Sequence, residues 1–209
     1  MRLKHPQIPA ELQLDKATAI TLNKLQTKQS LPLPALNLAA DCGSLAHLYM
    51  EMIVNKGLEH WPASRIDAAS QAMQFWLLQR GHAKNEVEKQ VAFIVSALKQ
   101  TIASPQGAWL LARRVSTQAE LSITVIGENN AVQEQRIDLT FVDEDELSKI
   151  KTRWIIDYKL TALNDAIDLD KAAEQHRAQL QHYASLFTGE NLSIKKAVFF
   201  LSAGKLIEL

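Results

Sequence analysis

The 209-residue chain has a single cysteine, Cys42, and no net charge. One thiol can form neither an internal disulfide framework nor a multi-cysteine zinc or iron–sulfur site, so a reducing compartment is expected. The 23 basic and 23 acidic side chains cancel, whereas a protein that binds DNA by itself usually carries excess positive charge. If the chain binds DNA, we therefore expect a small part of its surface to do so, or an attached partner to supply the binding.

Long apolar runs are missing as well. No stretch approaches the roughly 18 residues that a membrane span requires, and the basic start Met1–His5 leads into no signal-peptide core. Hydrophobic residues make up 47% of the chain and charged residues 22%, which is ordinary for a globular domain. We therefore expect a soluble, cytoplasmic protein without a membrane partner.

The first part of the chain divides into an arm and a helical region. Residues 1–40 contain prolines but little periodicity, so we interpret them as an extended arm or linker and expect the domain to belong to a longer polypeptide. Residues 41–107 predict helices, the first of which carries apolar residues at helical spacing from Leu45 to Ile53. The segment Ser104–Gly107 is expected to end this region.

Residues 108–209 change to a period of two and form the predicted core of the domain. A hairpin turn is expected at residues 127–130, and a helix over Asp170–Phe187. Strands are predicted at Glu120–Val125, Arg136–Val142, Thr152–Lys159 and Ala197–Leu201. The fold class is thus α/β, a mixed sheet flanked by helices with an N-terminal helical region.

The third predicted strand has the pattern Asp157-Tyr158-Lys159. Side chains alternate on a strand, so Asp157 and Lys159 share a face, with Cα atoms roughly 6.6 Å apart. Such a triplet can be a solvated charge pair. Because its neighbours Trp154 and Ile156 indicate a buried strand, an unpaired carboxylate there would be costly.

A second acid, Asp138, lies on the preceding predicted strand. Ile137, Leu139 and Phe141 are expected to share one face, with Asp138 on the other. If the two strands pair, Asp138 lies beside Asp157, and two adjacent carboxylates favour a bound Mg²⁺ or Mn²⁺. The alternative is an aspartate that accepts a bond from a strand-end amide.

Four other side chains are candidates with open alternatives. Glu120 could orient water or bind a second metal, or be solvated at a strand edge. His47 could be a core histidine on its apolar helix or a ligand, with Glu51 as a hydrogen-bond partner. Gln179 and Tyr183 project together at i and i+4, although burial alone would explain the tyrosine.

Taken in order, these motifs resemble the C-terminal nuclease domain of RecB/AddA-type helicase–nucleases, a branch of the PD-(D/E)XK superfamily. Each motif is short, but five stand in register between Gly43 and Tyr183. The sequence departs from the family pattern at Gln135, in place of a glycine, and at Leu160, in place of a threonine or serine. The matching segments are Gly43–His47, Glu120, Gln135–Asp138, Asp157–Lys159 and Gln179–Tyr183.

The resemblance implies a restriction-endonuclease-like fold and a Mg²⁺- or Mn²⁺-dependent deoxyribonuclease, most naturally an exonuclease. The implied ligands of the cation are His47, Asp138, Asp157 and the backbone carbonyl of Tyr158. Lys159 and Glu120 would act in catalysis beside the two aspartates, while Gln179 and Tyr183 would contact DNA.

The implied partners are single-stranded DNA and a helicase, in the same polypeptide or in another subunit, during double-strand-break repair and recombination. The alternative is a catalytically inactive nuclease-like module that binds DNA or scaffolds a helicase. Degenerate modules of that kind typically lose an acid or the lysine, and this sequence keeps them.

Overall fold

The structure, a computed structural model, describes residues 36–126, 132–145, 147–162 and 168–209. Most of the predicted arm and the whole of the predicted turn at residues 127–130 lie outside the described residues. Asn37–Leu209 form one unit. No helix in the described ranges is both long enough and apolar enough to cross a membrane.

The helical region begins earlier in the chain than its apolar pattern suggests. The first helix starts after Asn37, whose side chain accepts a hydrogen bond from the Ala40 amide at 3.1 Å, and it ends at Gly57, where φ is +98°. The helices are α1 (Leu38–Lys56), α2 (Ala63–Ala68), α3 (Ser70–Gln79), α4 (Lys84–Ala103) and α5 (Pro105–Leu111).

The segment Ser104–Gly107 joins two helices and does not end the helical region, so that prediction was wrong. Ser104 stops α4, and its hydroxyl accepts from the Gly107 amide at 3.0 Å to begin α5 with Pro105 in its first turn. Just before this joint, the Thr101 hydroxyl donates to the Leu201 carbonyl at 3.1 Å. The joint therefore attaches the helices to the sheet.

Five strands form one mixed sheet in the order β1-β2-β3-β4-β5. Only β3 and β4 are parallel, and the chain crosses between them through two short helices, α6 (Leu169–Glu174) and α7 (Arg177–Ser185). The sequence pattern predicts a single helix over Asp170–Phe187, which was wrong, and it does not indicate β5. The strands are β1 (Val115–Ile126), β2 (Val132–Glu144), β3 (Lys151–Lys159), β4 (Ser193–Phe200) and β5 (Lys205–Glu208).

The sheet separates two apolar cores. The first core lies between the sheet and helices α1–α5, and its strand residues include Phe141, Ile156 and Phe199. The second core lies on the opposite face, where α6 and α7 cover Ile155 and Val198. Both β3 and β4 contribute to the two cores. The uninterrupted apolar run at Ala197–Leu201 predicts such a strand, buried on both faces, and β4 confirms it.

Two glycines provide a test of how α4 and α5 are joined. A Cβ at Gly107 would lie 1.9 Å from the Thr101 carbonyl oxygen, whereas a Cβ at Gly43 in α1 would meet nothing within 4 Å. We expect Gly107→Ala to lower the free energy of unfolding by about 2–3 kcal/mol, and Gly43→Ala to raise it by about 0.5–1 kcal/mol. Urea unfolding measures both, and equal effects of the two substitutions would contradict this packing.

Candidate metal centre

The hydrogen-bonded pairing of β2 with β3 ends just before Asp138 and Asp157. The pairing runs from Glu144 and Lys151 to Leu139 and Ile156 and stops there, one step before Asp138 and Asp157 would stand opposite each other. At the opening, Asp138 Oδ2 accepts a hydrogen bond from the Tyr158 amide at 2.6 Å. The carboxylate therefore satisfies a backbone donor that the ladder no longer pairs.

Strand β2 also changes face at Asp138. Ile137 belongs to the second core, whereas Leu139 and Phe141 belong to the first, so the prediction that these three side chains share one face was wrong for Ile137. Strict alternation would put residues two apart on the same face. The irregularity lies between Ile137 and Leu139, at the residue that carries the carboxylate.

Glu120 occupies the corresponding point of β1. The β1–β2 ladder passes from the pair Ala119–Leu139 to Leu121–Ile137 without pairing Glu120 with its opposite residue. Glu120 adopts φ +50°, in the left-handed region, which costs a residue other than glycine about 1 kcal/mol or more. It lies within β1 and does not open it. The strained backbone brings this carboxylate toward α1.

His47 on α1 meets both carboxylates. Its Nδ1 lies 3.4 Å from Asp138 Oδ1 and 3.8 Å from Glu120 Oε1. Its Nε2 lies 3.1 Å from the Tyr158 carbonyl oxygen, so that carbonyl, and not Glu51, is the partner of the second nitrogen. With Nδ1 turned to the acids, an Nε2–H that donates to this carbonyl fixes the ring.

The three side chains form a ligand set for a cation. One ligand atom each from His47, Glu120 and Asp138 can be chosen so that all three lie within 4.8 Å of one another. Glu120 Oε1 is buried and has no hydrogen-bond partner among the described residues. The two carboxylates are ligands that Mg²⁺ and Mn²⁺ favour, whereas the imidazole suits a transition metal. The residues present therefore fit Mn²⁺ better than Mg²⁺.

The charges of the cluster favour a cation as well. Burial, and next the charge of Asp138, raise the pKa of Glu120 above its ordinary value. The same two causes raise the pKa of Asp157. Burial alone would lower the pKa of His47, but its contact with Asp138 and the two nearby carboxylates raise it overall. The charge of Asp138 thus disfavours the ionised forms of Glu120 and Asp157, and a bound cation would offset that charge.

Asp157 lies outside the three-residue ligand set and pairs with Lys159 on the same face of β3. Lys159 Nζ is 2.8 Å from Asp157 Oδ2. Asp157 is buried and Lys159 is half-buried. The pair therefore presents an ammonium group beside the acidic cluster.

Gln179 and Tyr183 meet as their spacing predicted. Gln179 Nε2 donates to the Tyr183 hydroxyl at 2.8 Å, and Tyr183 is buried in the second core. His176, which precedes α7, was not identified from the sequence. Burial, and next the nearby charge of Lys159, lower the pKa of His176. The sequence feature that could have identified His176 is its spacing of three residues from Gln179.

A pocket of about 260 Å³ opens over the ligand set. Its walls come from α1, β1 and β2, and it is lined by Ser44, His47, Leu48, Glu51, Glu120 and Arg136. A larger cavity of about 690 Å³, between α2 and α4, shares none of these residues. Since size alone does not indicate chemistry, the smaller pocket with its convergent polar groups is the candidate site.

The strained acid at position 120 gives a prediction for the metal-free protein. Glu120→Gln removes a buried carboxylate from beside Asp138, so we expect it to raise the free energy of unfolding near neutral pH by about 1 kcal/mol. A raised folded-state pKa means that the wild type loses stability as pH rises through that pKa. The gain should therefore shrink toward about pH 4, where the acid is protonated in both states.

Urea titrations in EDTA at several pH values measure this gain. Glu134→Gln, at an exposed position of β2, is the matched control and should stay within about 0.5 kcal/mol of the wild type. A Glu120→Gln protein that is less stable than the wild type at neutral pH would show that the carboxylate is favourable where it lies.

Comparison with known proteins adds no identification to this geometry. No protein-family model matches the chain, and no curated protein matches it.

Proposed function

We propose that this chain is a metal-dependent DNA nuclease of the PD-(D/E)XK type, with the restriction-endonuclease-like arrangement that its motifs resemble. The observation that carries the proposal is the convergence of His47, Glu120 and Asp138, whose ligand atoms fit within 4.8 Å of one another. His47 comes from a helix that lies far in sequence from the two strands that carry Glu120 and Asp138. The Asp157–Lys159 pair stands on the next strand, at the point where the strands part.

His47, Glu120 and Asp138 would hold Mg²⁺ or Mn²⁺, with Asp157 and the Tyr158 carbonyl at the same opening of the sheet. The bound cation would make a coordinated water more acidic and withdraw charge from the scissile phosphate. In the structure the Tyr158 carbonyl faces His47, so its role as a further ligand stays a prediction. The two carboxylates of the ligand set support Mg²⁺ or Mn²⁺, and the imidazole favours Mn²⁺ of the two.

Lys159 is the residue that would act on the reacting atoms. Asp157 holds its ammonium group at 2.8 Å, and its half-buried position leaves it able to reach a phosphate. There it would orient the attacking water and offset negative charge that develops on the phosphate oxygens. Gln179 and Tyr183, hydrogen-bonded to each other, would support this side of the site or contact DNA.

The substrate and the biological setting follow from the resemblance. We propose single-stranded DNA as substrate, exonucleolytic cleavage, and a cytoplasmic role in double-strand-break repair beside a helicase domain or subunit. The zero net charge supports dependence on such a partner, because few phosphates can be neutralised by this chain alone.

Metal dependence is the direct test. Single-stranded DNA should be cleaved with Mg²⁺ or Mn²⁺ and not in excess EDTA. Asp138→Asn should weaken cation affinity at least about tenfold, because it removes a charged ligand while its oxygen can still accept from Tyr158. Asp67→Asn, on the exposed surface of α2, is the control. Calorimetric titration measures affinity, and cleavage that persists in EDTA would refute the proposal.

Lys159 allows chemistry to be separated from metal binding. We expect Lys159→Ala to lower the cleavage rate by about 10²-fold or more and to leave cation affinity within a few-fold of the wild type, because the lysine does not ligate the ion. Lys205→Ala, on edge strand β5, should change neither quantity. If Lys159→Ala lost cation affinity together with activity, the assigned role would be wrong.

A further inference from the structure

A second pocket lies next to the candidate metal centre and shares its two walls. It has a volume of about 240 Å³ and is lined by Val54 and Asn55 of α1 and by residues 110–114 and Thr117 before and within β1. The first pocket uses Ser44, His47 and Glu51 of the same helix. These α1 positions are spaced three or four apart and so lie on one face. The two pockets therefore follow one another along α1, and we call the surface that contains both the α1–β1 groove.

The far end of this groove is basic. Arg113 is exposed and is oriented by a hydrogen bond from Nη2 to the Lys56 carbonyl at 3.2 Å. Arg114 lies beside it, with Nε donating to Asp143 at 2.6 Å and its guanidinium group stacked on Trp109. These contacts hold the Arg114 side chain within the fold. Arg113 is exposed, so its remaining N–H groups are accessible to a ligand. A guanidinium group suits phosphate recognition.

The length of the groove matches a short piece of nucleic acid. His47 and Asn55 are eight residues apart on α1, which corresponds to about 12 Å at 1.5 Å per residue. A stacked strand rises about 3.4 Å per nucleotide, so this distance spans no more than about four nucleotides. A phosphate near Arg113 would thus belong to the same strand as one at the metal centre.

From this geometry we propose that the α1–β1 groove is a binding channel for a single strand of DNA, with Arg113 holding a phosphate a few nucleotides from the scissile one. This inference rests on the proposed function, since it takes the His47 cluster as the cleavage point. Glu51 lies on α1 between the two positions, and Glu120 lies at the metal centre itself. The channel therefore accepts the anionic strand when a cation offsets these acids.

The test compares a long and a short substrate. The long one is a single-stranded oligonucleotide of about 12 nucleotides, and the short one is the p-nitrophenyl ester of thymidine monophosphate, which cannot reach Arg113. With Mn²⁺, we expect Arg113→Gln to lower the ratio of kcat/KM for the long over the short substrate about fivefold, mainly through KM. Lys205→Gln, on the opposite edge of the sheet, should leave this ratio unchanged.

A binding measurement separates this inference from the proposed function. Fluorescence anisotropy with the same oligonucleotide, in the Lys159→Ala background with Mn²⁺, should show weaker binding for Arg113→Gln and a salt slope smaller by about 0.7. Unchanged affinity and an unchanged substrate ratio would overturn the channel. If the wild type cleaves neither substrate but binding still depends on Arg113, the channel stands and the nuclease proposal fails.

Discussion

The hydrogen bond from the Tyr158 amide to Asp138 Oδ2 is the contact on which the candidate site depends. It takes over where the β2–β3 ladder stops, so the two strands can part without leaving a buried amide unpaired. The opening gives the two aspartates and Lys159 access to one region of space. A continuous ladder would have closed this space with backbone hydrogen bonds.

Helices pack on both faces of the sheet beside the point where the β2–β3 ladder ends. On one face, α1 packs on the first core and brings His47 within 3.4 Å of Asp138. On the other face, α6 and α7 cover the second core, and His176, between these two helices, lies near Lys159. This arrangement includes a left-handed Glu120 and carboxylates that repel each other, a pattern found at functional sites in general.

The same helix links the site to the groove beside it. One face of α1 carries His47 and Glu51 at the ligand set and continues to Asn55 near Arg113. A helix is straight over this distance, so it fixes the spacing between the candidate ligand set and the part of α1 near Arg113. Local charge at one end of a groove can therefore serve a chain whose total charge is zero.

The sequence by itself determined the elements that depend on local periodicity. Alternation predicted strands within β1, β2 and β3 and the shared face of Asp157 and Lys159, and helical spacing predicted the meeting of Gln179 with Tyr183. These predictions succeed because backbone geometry fixes side-chain direction over a few residues.

Only the tertiary structure decided which of these side chains meet. His47 and Tyr158 are 111 positions apart, and their contact depends on how α1 packs across the sheet. The change of face between Ile137 and Leu139, the positive φ of Glu120 and the continuation of the helices past Ser104 contradict the local pattern. In each case long-range packing and backbone hydrogen bonding outweighed the local preference, which is expected where a polar site interrupts a regular sheet.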